Sequence, residues 1–537
     1  MFKHALIQDA AYQSLLRSRR SEIHATIAGL LECDPDTVTA QSALLGHHYA
    51  EAGLSAKAAH YYTRAGQWSA SRSALIEARA HFGRALALLA ELSETPDRDR
   101  QELETQTALG SVLIALNGYA DAATGRAFSR AAELWERLGR PSEFLRVVWG
   151  RFMSHGNRSE VAMGREVASD LLRLSRERRD SNGLVLGHIC AGSALLLSGD
   201  LVGCRAHFEQ VVSMYDPSAH AELGDLGIHP VAMAQSFLGL VLCWLGYPDQ
   251  AVLVGESSIA TARKANHIPS LASVMAVYAR SLTLIPDRPR LSMILSELMK
   301  LCDEHRLPFW TAQAMIHDGW LSAQQGDTET GIASVRRGLV AFTETGASVW
   351  TGLYRALLAD IHKERGELSE ASDLIDNAID LAVQSGELCL IAEVYRRKAE
   401  LLLAEPMVAE QYLHKAIQIA KAQSARLFEL RSTTSLAQLL ASQGRRVEAG
   451  ELLAPIYEWF TEGYETPDLK RAHALMLDLE LSLPTDSMLS VSVALSGDGN
   501  TAIVGGYNDN DGAGAVWVYY PPSLKRESQS LSGHGRA

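Results

Sequence analysis

The segment LLGHHYAEAGLSAKAAHYYTRAG, residues 44–66, carries the pattern that decides the fold. Within it, Gly46 is followed three residues later by Tyr49, and Gly53 stands before Ala58. Small residues at this spacing let two helices cross closely, and the aromatic side chain fills the space beside the crossing. Glycine allows the backbone conformation that ends a helix and reverses the chain. The segment therefore predicts a pair of antiparallel helices.

The same order of small, large and glycine residues recurs along the chain. The small crossing residue is Gly110, Gly150, Gly192, Gly239, Ala279, Gly319, Ala359, Ala399 and Ala437. The interval is close to 40 residues, whereas tetratricopeptide (TPR) repeats have roughly 34. One helix pair cannot bury its apolar face alone, so neighbouring pairs must stack into a continuous core. We predict an all-α, TPR-like right-handed superhelical solenoid of antiparallel helix pairs with a short β-hairpin tail.

Composition fits this fold and excludes several classes of protein. The 537 residues are 47% hydrophobic and 21% charged, which is too apolar for a disordered chain. The formal net charge of −13 argues against general nucleic-acid binding. Six cysteines lie far apart without a CxxC pair, as expected in a reduced compartment. The most apolar stretch, 231–246, contains polar residues and is too short to span a membrane, so we predict a buried repeat helix and a cytoplasmic protein.

Changes of composition divide the chain into four predicted segments. They are a helical remnant at 1–32, the repeat array at 33–483 with a polar break near 94–100, a β stub at 484–520 and a disordered tail at 521–537. A longer excursion at 215–230 also interrupts the repeat pattern.

Three segments carry a resemblance to a known family. FKHALIQDAAYQSLLRSRR (2–20) resembles the end of the ATPase module in bacterial class III adenylate/guanylate cyclases, a segment shared with ATP-dependent transcriptional regulators. LGYPDQA (245–251) and LLAPIYEWFTEGYETPDLKRA (452–472) are similar to the TPR region of the same cyclase–AAA ATPase–TPR architecture. The stretch 491–519 resembles one FG-GAP repeat, and a single copy cannot close a β-propeller.

The resemblance implies a non-catalytic scaffold that binds a protein or peptide and gates ATPase and cyclase domains encoded upstream. We therefore expect a truncated gene product or one part of a split protein. No lysine follows a glycine, so no P-loop is present, and no paired cyclase aspartates are visible. Two alternatives remain open: a ligand-sensing repeat domain of a transcriptional regulator, and a chain that retains nucleotide-binding or cyclase-associated activity. We expect no cofactor.

Two histidine-containing motifs favour structural roles over chemistry. His47 and His48 are adjacent on a helix, where successive side chains point about 100 degrees apart, and no acid or thiol completes a metal site. His4 and Asp9 belong to the opening helix that would pack on an ATPase.

Residues 508–512, NDNDG, resemble a calcium loop, but Tyr507 stands where the first acidic ligand is required. We predict no catalytic, cofactor or metal site.

The concave inner face is the predicted interaction surface, because solenoids use it to hold extended or helical segments. If the small crossing residue is the eighth position of the repeat, positions 2, 5, 9 and 12 line the groove. The resulting candidates in the later repeats are Trp320, Asp360, Lys363, Arg396, Glu400, Arg431 and Gln438. They offer charge-assisted hydrogen bonds and one aromatic anchor, although a solvated helix face would have a similar composition.

Overall fold

The computed structural model describes residues 12–35, 38, 41–72, 74–141, 145–226, 229–479, 492–495, 502–509 and 513–519. Helices dominate these residues. The first eleven are α1 Arg17–Glu32, α2 Ser42–Glu51, α3 Ser55–Ser71, α4 Leu75–Ala90, α5 Pro96–Asn117, α6 Ala122–Arg137, α7 Leu145–Asn157, α8 Val161–Arg178, α9 Ser181–Ser198, α10 Leu201–Met214 and α11 Pro230–Leu245. The next twelve are α12 Pro248–Lys264, α13 Ile268–Leu284, α14 Arg288–His305, α15 Pro308–Gln324, α16 Thr328–Glu344, α17 Thr351–Glu364, α18 Leu368–Ser385, α19 Ile391–Leu401, α20 Pro406–Ala422, α21 Arg426–Ser442, α22 Arg446–Glu458 and α23 Pro467–Asp478.

The helices form two layers. From α3 onward, each odd-numbered helix packs against the next odd-numbered helix and makes the inner layer, while the even-numbered helices lie outside. The nine predicted crossing residues fall one each on the inner helices α5 to α21, and all nine are buried. The predicted fold class, an all-α TPR-like solenoid of antiparallel helix pairs, is confirmed.

Small residues at the crossings are required by backbone contact. A Cβ added to Gly319 on α15 would meet the carbonyl oxygen of Gly331 on α16 at 2.8 Å. At Gly192, the added atom would meet the ring of Phe208 at 3.0 Å, so the aromatic residue occupies the space that the glycine leaves. The small-and-aromatic spacing thus fixes how closely inner and outer helices approach.

Capping residues set the helix boundaries. Asp121, Asp180 and Asp200 accept hydrogen bonds from backbone N–H groups in the first turn of α6, α9 and α10. Gly199 and Gly246 follow α9 and α11 with φ of +88° and +97°, a region that favours glycine. These turns allow the next outer helix to begin within three residues.

Two predicted interruptions have different structures. The polar stretch at 94–100 contains a helix start: Thr95 caps α5, Pro96 is its first residue, and the array continues through it. The side chain of Thr95 accepts a hydrogen bond from the backbone N–H of Arg98, and Pro96 supplies the fixed φ of a first helical residue, so this polar stretch is where α5 begins. The excursion at 215–229 separates α10 from α11 and contains the short 3₁₀ helix Ala221–Leu226.

The tail contains three strands, β1 Ser492–Leu495, β2 Ala502–Asp509 and β3 Ala513–Tyr519. They pair antiparallel in the order β1-β2-β3, with Val493 opposite Val504 and Val504 opposite Trp517. Asn510 to Gly512 of the calcium-like run, the motif residues His4 and Asp9, and the tail 521–537 lie outside the described residues.

Buried apolar helices and thiols belong to the core. Helix α11, in the predicted apolar stretch, is mostly buried. One described helix, α9, is long and apolar enough to cross a membrane, and 61% of it is buried within the solenoid. All six cysteines are unpaired and five are buried.

Turns of the earlier helices contact turns of much later helices along a surface that we call the seam. Its first side consists of residues 118–121, 157–160, 197–200, 244–250 and Leu284, and its second side of residues 345–350, 385–390, 423–431 and 459–463. The sequence pattern did not predict this contact.

Backbone hydrogen bonds and aromatic packing hold the seam together. The N–H groups of Ser348 and Val349 donate to the carbonyl of Asn157 at 2.9 and 3.1 Å. Those of Leu388 and Cys389 donate to the carbonyl of Leu197 at 2.8 and 3.2 Å. In a second region, the ring of Trp244 lies 5.6 Å from that of Phe428 and 6.5 Å from that of Trp350. The solenoid therefore contacts itself rather than remaining an open spiral.

Candidate interaction site

The inner helices α17, α19 and α21 bring five of the seven predicted groove residues together. They form a network that we call the inner charge cluster: Asp360, Lys363, Glu393, Arg396, Arg397, Glu400, Arg431 and Asp468. Its members recur at the repeat interval, because the same positions of successive inner helices face the same side. The cluster contains four cationic and four anionic side chains.

Arg396 is the centre of the cluster. Two of its nitrogens donate to the Glu393 carboxylate at 2.8 and 2.7 Å, and a third donates to Glu400. Glu400 also accepts from Lys363 at 2.6 Å and from the Ser435 hydroxyl at 3.1 Å. Bidentate, charge-assisted contacts of this kind fix side-chain geometry as well as charge.

Arg431 and Arg397 extend the cluster to either side. Arg431 is bidentate to Asp468 of α23 at 2.9 and 2.7 Å, lies 3.5 Å from Glu393, and donates to the carbonyl of Leu284 in the seam. Arg397 lies 3.2 Å from Asp360. The cluster is thus continuous with the seam through Arg431.

The charges shift the acidities of the cluster carboxylates. Burial alone would raise the pKa of Glu400, but Arg396 and Lys363 outweigh burial and lower that pKa to about 2. Burial likewise opposes ionisation of Glu393, and Arg396 with Arg431 holds its pKa below the ordinary value. Both groups are ionised at neutral pH, so neither is suited to general acid catalysis there.

Exposure decides which members a partner can reach. The side chain of Lys363 is 37% exposed and that of Asp360 26%, whereas Glu393 is only 1% exposed. The buried ion pairs of the cluster therefore hold the two partly exposed side chains, Lys363 and Asp360, in place. Burial raises the pKa of Asp360, although Arg397 and Arg396 oppose that rise.

The other two predicted residues lie apart from this network. Gln438 accepts a hydrogen bond from Arg471 at 2.5 Å and is partly exposed. Trp320 is only 6% exposed, and its indole N–H has no hydrogen-bond partner among the residues that the structure describes. The proposed aromatic anchor is thus a buried side chain of α15 rather than an exposed groove residue.

Sequence reasoning missed three members of the cluster. Glu393 sits six residues before Ala399, the same offset that places Arg431 before Ala437, so the positional rule could have found it. Arg397 occupies a position that the rule does not assign to the groove. Asp468 lies beyond the last predicted crossing residue, and no spacing signal points to it.

Histidines make contacts consistent with packing. His48 contacts His24 through their Nδ1 atoms at 2.8 Å, and Tyr12 contacts the other nitrogen of His24 at 2.8 Å. Burial lowers the pKa of His24 and His48. Within the part of the chain that the structure describes, no three His, Cys, Asp or Glu side chains are arranged to hold a metal ion.

A surface cleft of about 770 Å³ lies between α16 and the turn that begins α18. It contains His362, whose Nδ1 lies 2.5 Å from Glu367. His155 and Glu160 make the same contact at 2.5 Å, also across the turn that follows an inner helix. The recurrence identifies this pairing as a feature of the turn rather than a catalytic dyad.

Comparison with known proteins leaves the family open. No family model matches the chain. An uncharacterized protein of Rhizobium meliloti (strain 1021) is 25% identical over 457 residues, which cover 83% of this chain and 44% of the relative. The chain therefore spans less than half the length of that relative.

Solved structures with a similar arrangement are helical-repeat proteins of low sequence identity. The APC/C hetero-tetramer Cut9–Hcn1 has a TM-score of 0.39 and 14% identity, covering 78% of this chain and 88% of that one. A Rap protein complexed with competence and sporulation factor has a TM-score of 0.40 and 12% identity, and the match covers 66% of this chain and 97% of that one. Yeast Tom70 has a TM-score of 0.33 and 13% identity, and the match covers 84% of this chain and 98% of that one.

Proposed function

We propose that this chain is a non-catalytic scaffold that binds a protein or peptide partner through the inner charge cluster. The carrying observation is that Asp360 and Lys363 are partly exposed while buried ion pairs hold their surroundings in place. A preorganised polar surface loses little side-chain entropy on binding, so its hydrogen bonds contribute to affinity and specificity. A segment with alternating charge would satisfy both residues.

We further propose that the scaffold serves a signalling protein of the cyclase–ATPase type. Support comes from the resemblance of residues 2–20, 245–251 and 452–472, and from a relative more than twice the aligned length. In such a protein, partner binding on the repeats would regulate ATPase and cyclase domains encoded upstream. Sequencing of the flanking DNA tests this context, and an adjacent reading frame with a P-loop module is the expected result.

Peptide display against the full chain tests the binding site. Peptides selected on the wild type are expected to lose about tenfold in affinity for Lys363→Ala and for Asp360→Asn, the loss of roughly 1.4 kcal/mol that a useful interface contact provides. Arg263→Ala, which removes an exposed ion pair to Glu297 on the outer layer, is the matched control. Equal affinity for all three variants would contradict the inner-face site.

Ligand titrations separate the scaffold from the two alternatives. ATP is expected not to bind the purified chain, and saturable binding at micromolar ATP would overturn the non-catalytic assignment. A thermal-shift screen with sugars and nucleotides tests for an inducer site, since a ligand that prefers the folded state raises the melting temperature. A flat screen is expected.

A further inference from the structure

Glu387 joins three separate parts of the fold at the seam. It lies in the turn between α18 and α19 and accepts a hydrogen bond from the Ser159 hydroxyl, 228 residues earlier, at 2.6 Å. Its other oxygen accepts from the backbone N–H of Trp350, the residue before α17, at 2.9 Å. Within the described residues this carboxylate has no ion pair, so its contacts across the seam are hydrogen bonds alone.

Glu462 makes a second contact of the same kind. One oxygen accepts from the backbone N–H groups of Asp249 and Gln250 at 3.0 and 3.1 Å, and the other accepts from the Gln250 side chain at 2.8 Å. The N–H of Gly463 donates to the Asp249 carboxylate at 3.0 Å. Thus LGYPDQA (245–251) and LLAPIYEWFTEGYETPDLKRA (452–472), more than 200 residues apart, form one joint of the seam.

Few charged groups face Glu387 from the elements packed against it. The Arg280 guanidinium of α13 stacks on the Trp350 ring, 4.3 Å from its centroid, and hydrogen bonds to Gln313 at 2.8 Å rather than to a carboxylate. Burial raises the pKa of Tyr354 on α17 and of Cys389 in the same turn, and the charge of Glu387 adds to both rises. On the α7–α8 turn, Arg158 is paired with Glu160 at 3.2 Å.

A small cavity adjoins the carboxylate. Its volume is about 60 Å³, and its walls include Ser159, Ser348, Ser385 and Leu353. A buried water needs on the order of 10–15 Å³ measured in this way, so the cavity has room for a few waters. Most of its walls are apolar, and they therefore solvate a carboxylate poorly.

We propose that Glu387, assisted by Glu462, makes the seam a pH-sensitive gate over the inner charge cluster, closed when these carboxyls are neutral and loosened when they ionise. The link to the cluster is Arg431, which donates both to Asp468 within the cluster and to the Leu284 carbonyl across the seam. Loosening the seam frees this arginine and widens access to the inner face. This regulation rests on the proposed function, but the gate is measurable without a partner.

The direction of the effect follows from the acidity of Glu387. Burial raises its pKa from 4.5 to about 7, with Ser159, Trp350 and Arg280 opposing the rise. Where the closed seam binds a proton that the open form releases, opening becomes more favourable as pH rises. The seam is therefore most stable below pH 4.5, weakens up to about pH 7, and changes little above it. Between pH 6 and 8 the opening equilibrium should increase roughly tenfold. Burial also raises the pKa of Glu462, in the same direction.

Hydrogen exchange of the full chain tests the gate. The reporters are four amides that donate to backbone carbonyls across the seam, those of Ser348, Val349, Leu388 and Cys389. After correction for intrinsic exchange, their protection is expected to fall about tenfold from pH 6 to pH 8 in the wild type. Amides within 371–382, inside α18, serve as the internal reference and should not change.

Two variants separate the titrating group from a merely structural contact. Glu387→Gln keeps the acceptor for Trp350 and cannot ionise, so most of the pH dependence of protection at the four reporter amides should be lost. Ser159→Ala keeps the carboxyl, so it should open more at every pH and retain the pH dependence. Unchanged wild-type protection at the four amides, or an equal fall in Glu387→Gln, would overturn the gate. The wild-type result stands even where a variant does not fold. If the peptide assay fails while seam protection still depends on pH, only the proposed inner-face binding site is contradicted.

Discussion

At the scale of single residues, the seam divides equivalent turn glycines into two groups. Gly246 and Gly366 both follow an inner helix and have φ of +97° and +76°. A Cβ on Gly246 would meet the Trp459 ring at 2.6 Å and the Cβ of Arg426 at 2.9 Å, whereas a Cβ on Gly366 meets nothing within 4 Å. Both glycines therefore adopt a positive φ, but only at Gly246 would an added side chain also clash with residues across the seam.

We predict that Gly246→Ala is more destabilising than Gly366→Ala. Both variants place a Cβ in the left-handed region, at about 1–2 kcal/mol. Only Gly246→Ala also overpacks the seam, which adds about 1–3 kcal/mol. Urea unfolding followed by circular dichroism measures the difference. Equal losses of unfolding free energy would mean that the contact between 246 and 459 is absent in solution.

At the scale of helices, histidine takes the capping role at two inner helices. His229 and His267 precede α11 and α13, and each accepts a backbone N–H through Nδ1 at 3.2 Å, from Ala232 and Ser270 respectively. An unprotonated ring nitrogen is needed to accept, so these caps hold only while the histidine is neutral. Burial lowers the pKa of both histidines below 6.5, in agreement with the neutral form.

We predict that the α13 cap weakens in acid and that His267→Asn removes this weakness. A histidine with a depressed folded pKa contributes its full stability above pH 6.5 and loses it as pH falls through the folded pKa. Asparagine is a strong cap that does not titrate, and a cap contributes about 1 kcal/mol. Between pH 7.5 and pH 5.5, the melting temperature should fall less for the variant than for the wild type. An identical fall would assign the acid sensitivity to other groups.

At the scale of the whole molecule, the seam adds long-range contacts to a fold that ordinarily has only neighbouring ones. Repeat arrays unfold as a sum of local terms, and distant repeats can separate. Here Trp459 packs 5.7 Å from the Tyr247 ring and stacks with Arg426 at 5.1 Å, coupling the fold across more than 200 residues. We therefore expect the helices on both sides of the seam to unfold together.

We predict that Trp459→Ala makes unfolding less cooperative. Loss of the ring uncouples the two sides, so a single denaturant transition should become two or a broader one with a smaller slope. Trp68→Ala is the matched control, because Trp68 of α3 lies under the guanidinium of Arg72, the residue after that helix, at 4.6 Å and away from the seam. A lower midpoint with an unchanged slope in Trp459→Ala would show that the seam does not couple the array.

Much of the site and fold followed from spacing alone. The crossing residues from Gly110 to Ala437 marked nine consecutive inner helices, and the positional rule brought Lys363, Arg396 and Glu400 into one cluster. The regular placement of the helices and the proximity of these three side chains have the same cause, since a solenoid repeats the environment of each position at a fixed interval. The rule could not tell which positions remain open, and it placed the buried Trp320 among them.

The sequence by itself determined the helices, their pairing and the side that each inner residue faces. Neighbouring repeats are in contact, and the small residues at the crossings set the distance between their helices. Only the tertiary structure decided the seam, the position of Glu387 against Ser159 and the pairing of Arg431 with Asp468. These contacts depend on a small rotation per repeat, summed over several repeats. Because each rotation results from the packing of whole helices, no local spacing in the sequence records where the sum brings the chain back against itself.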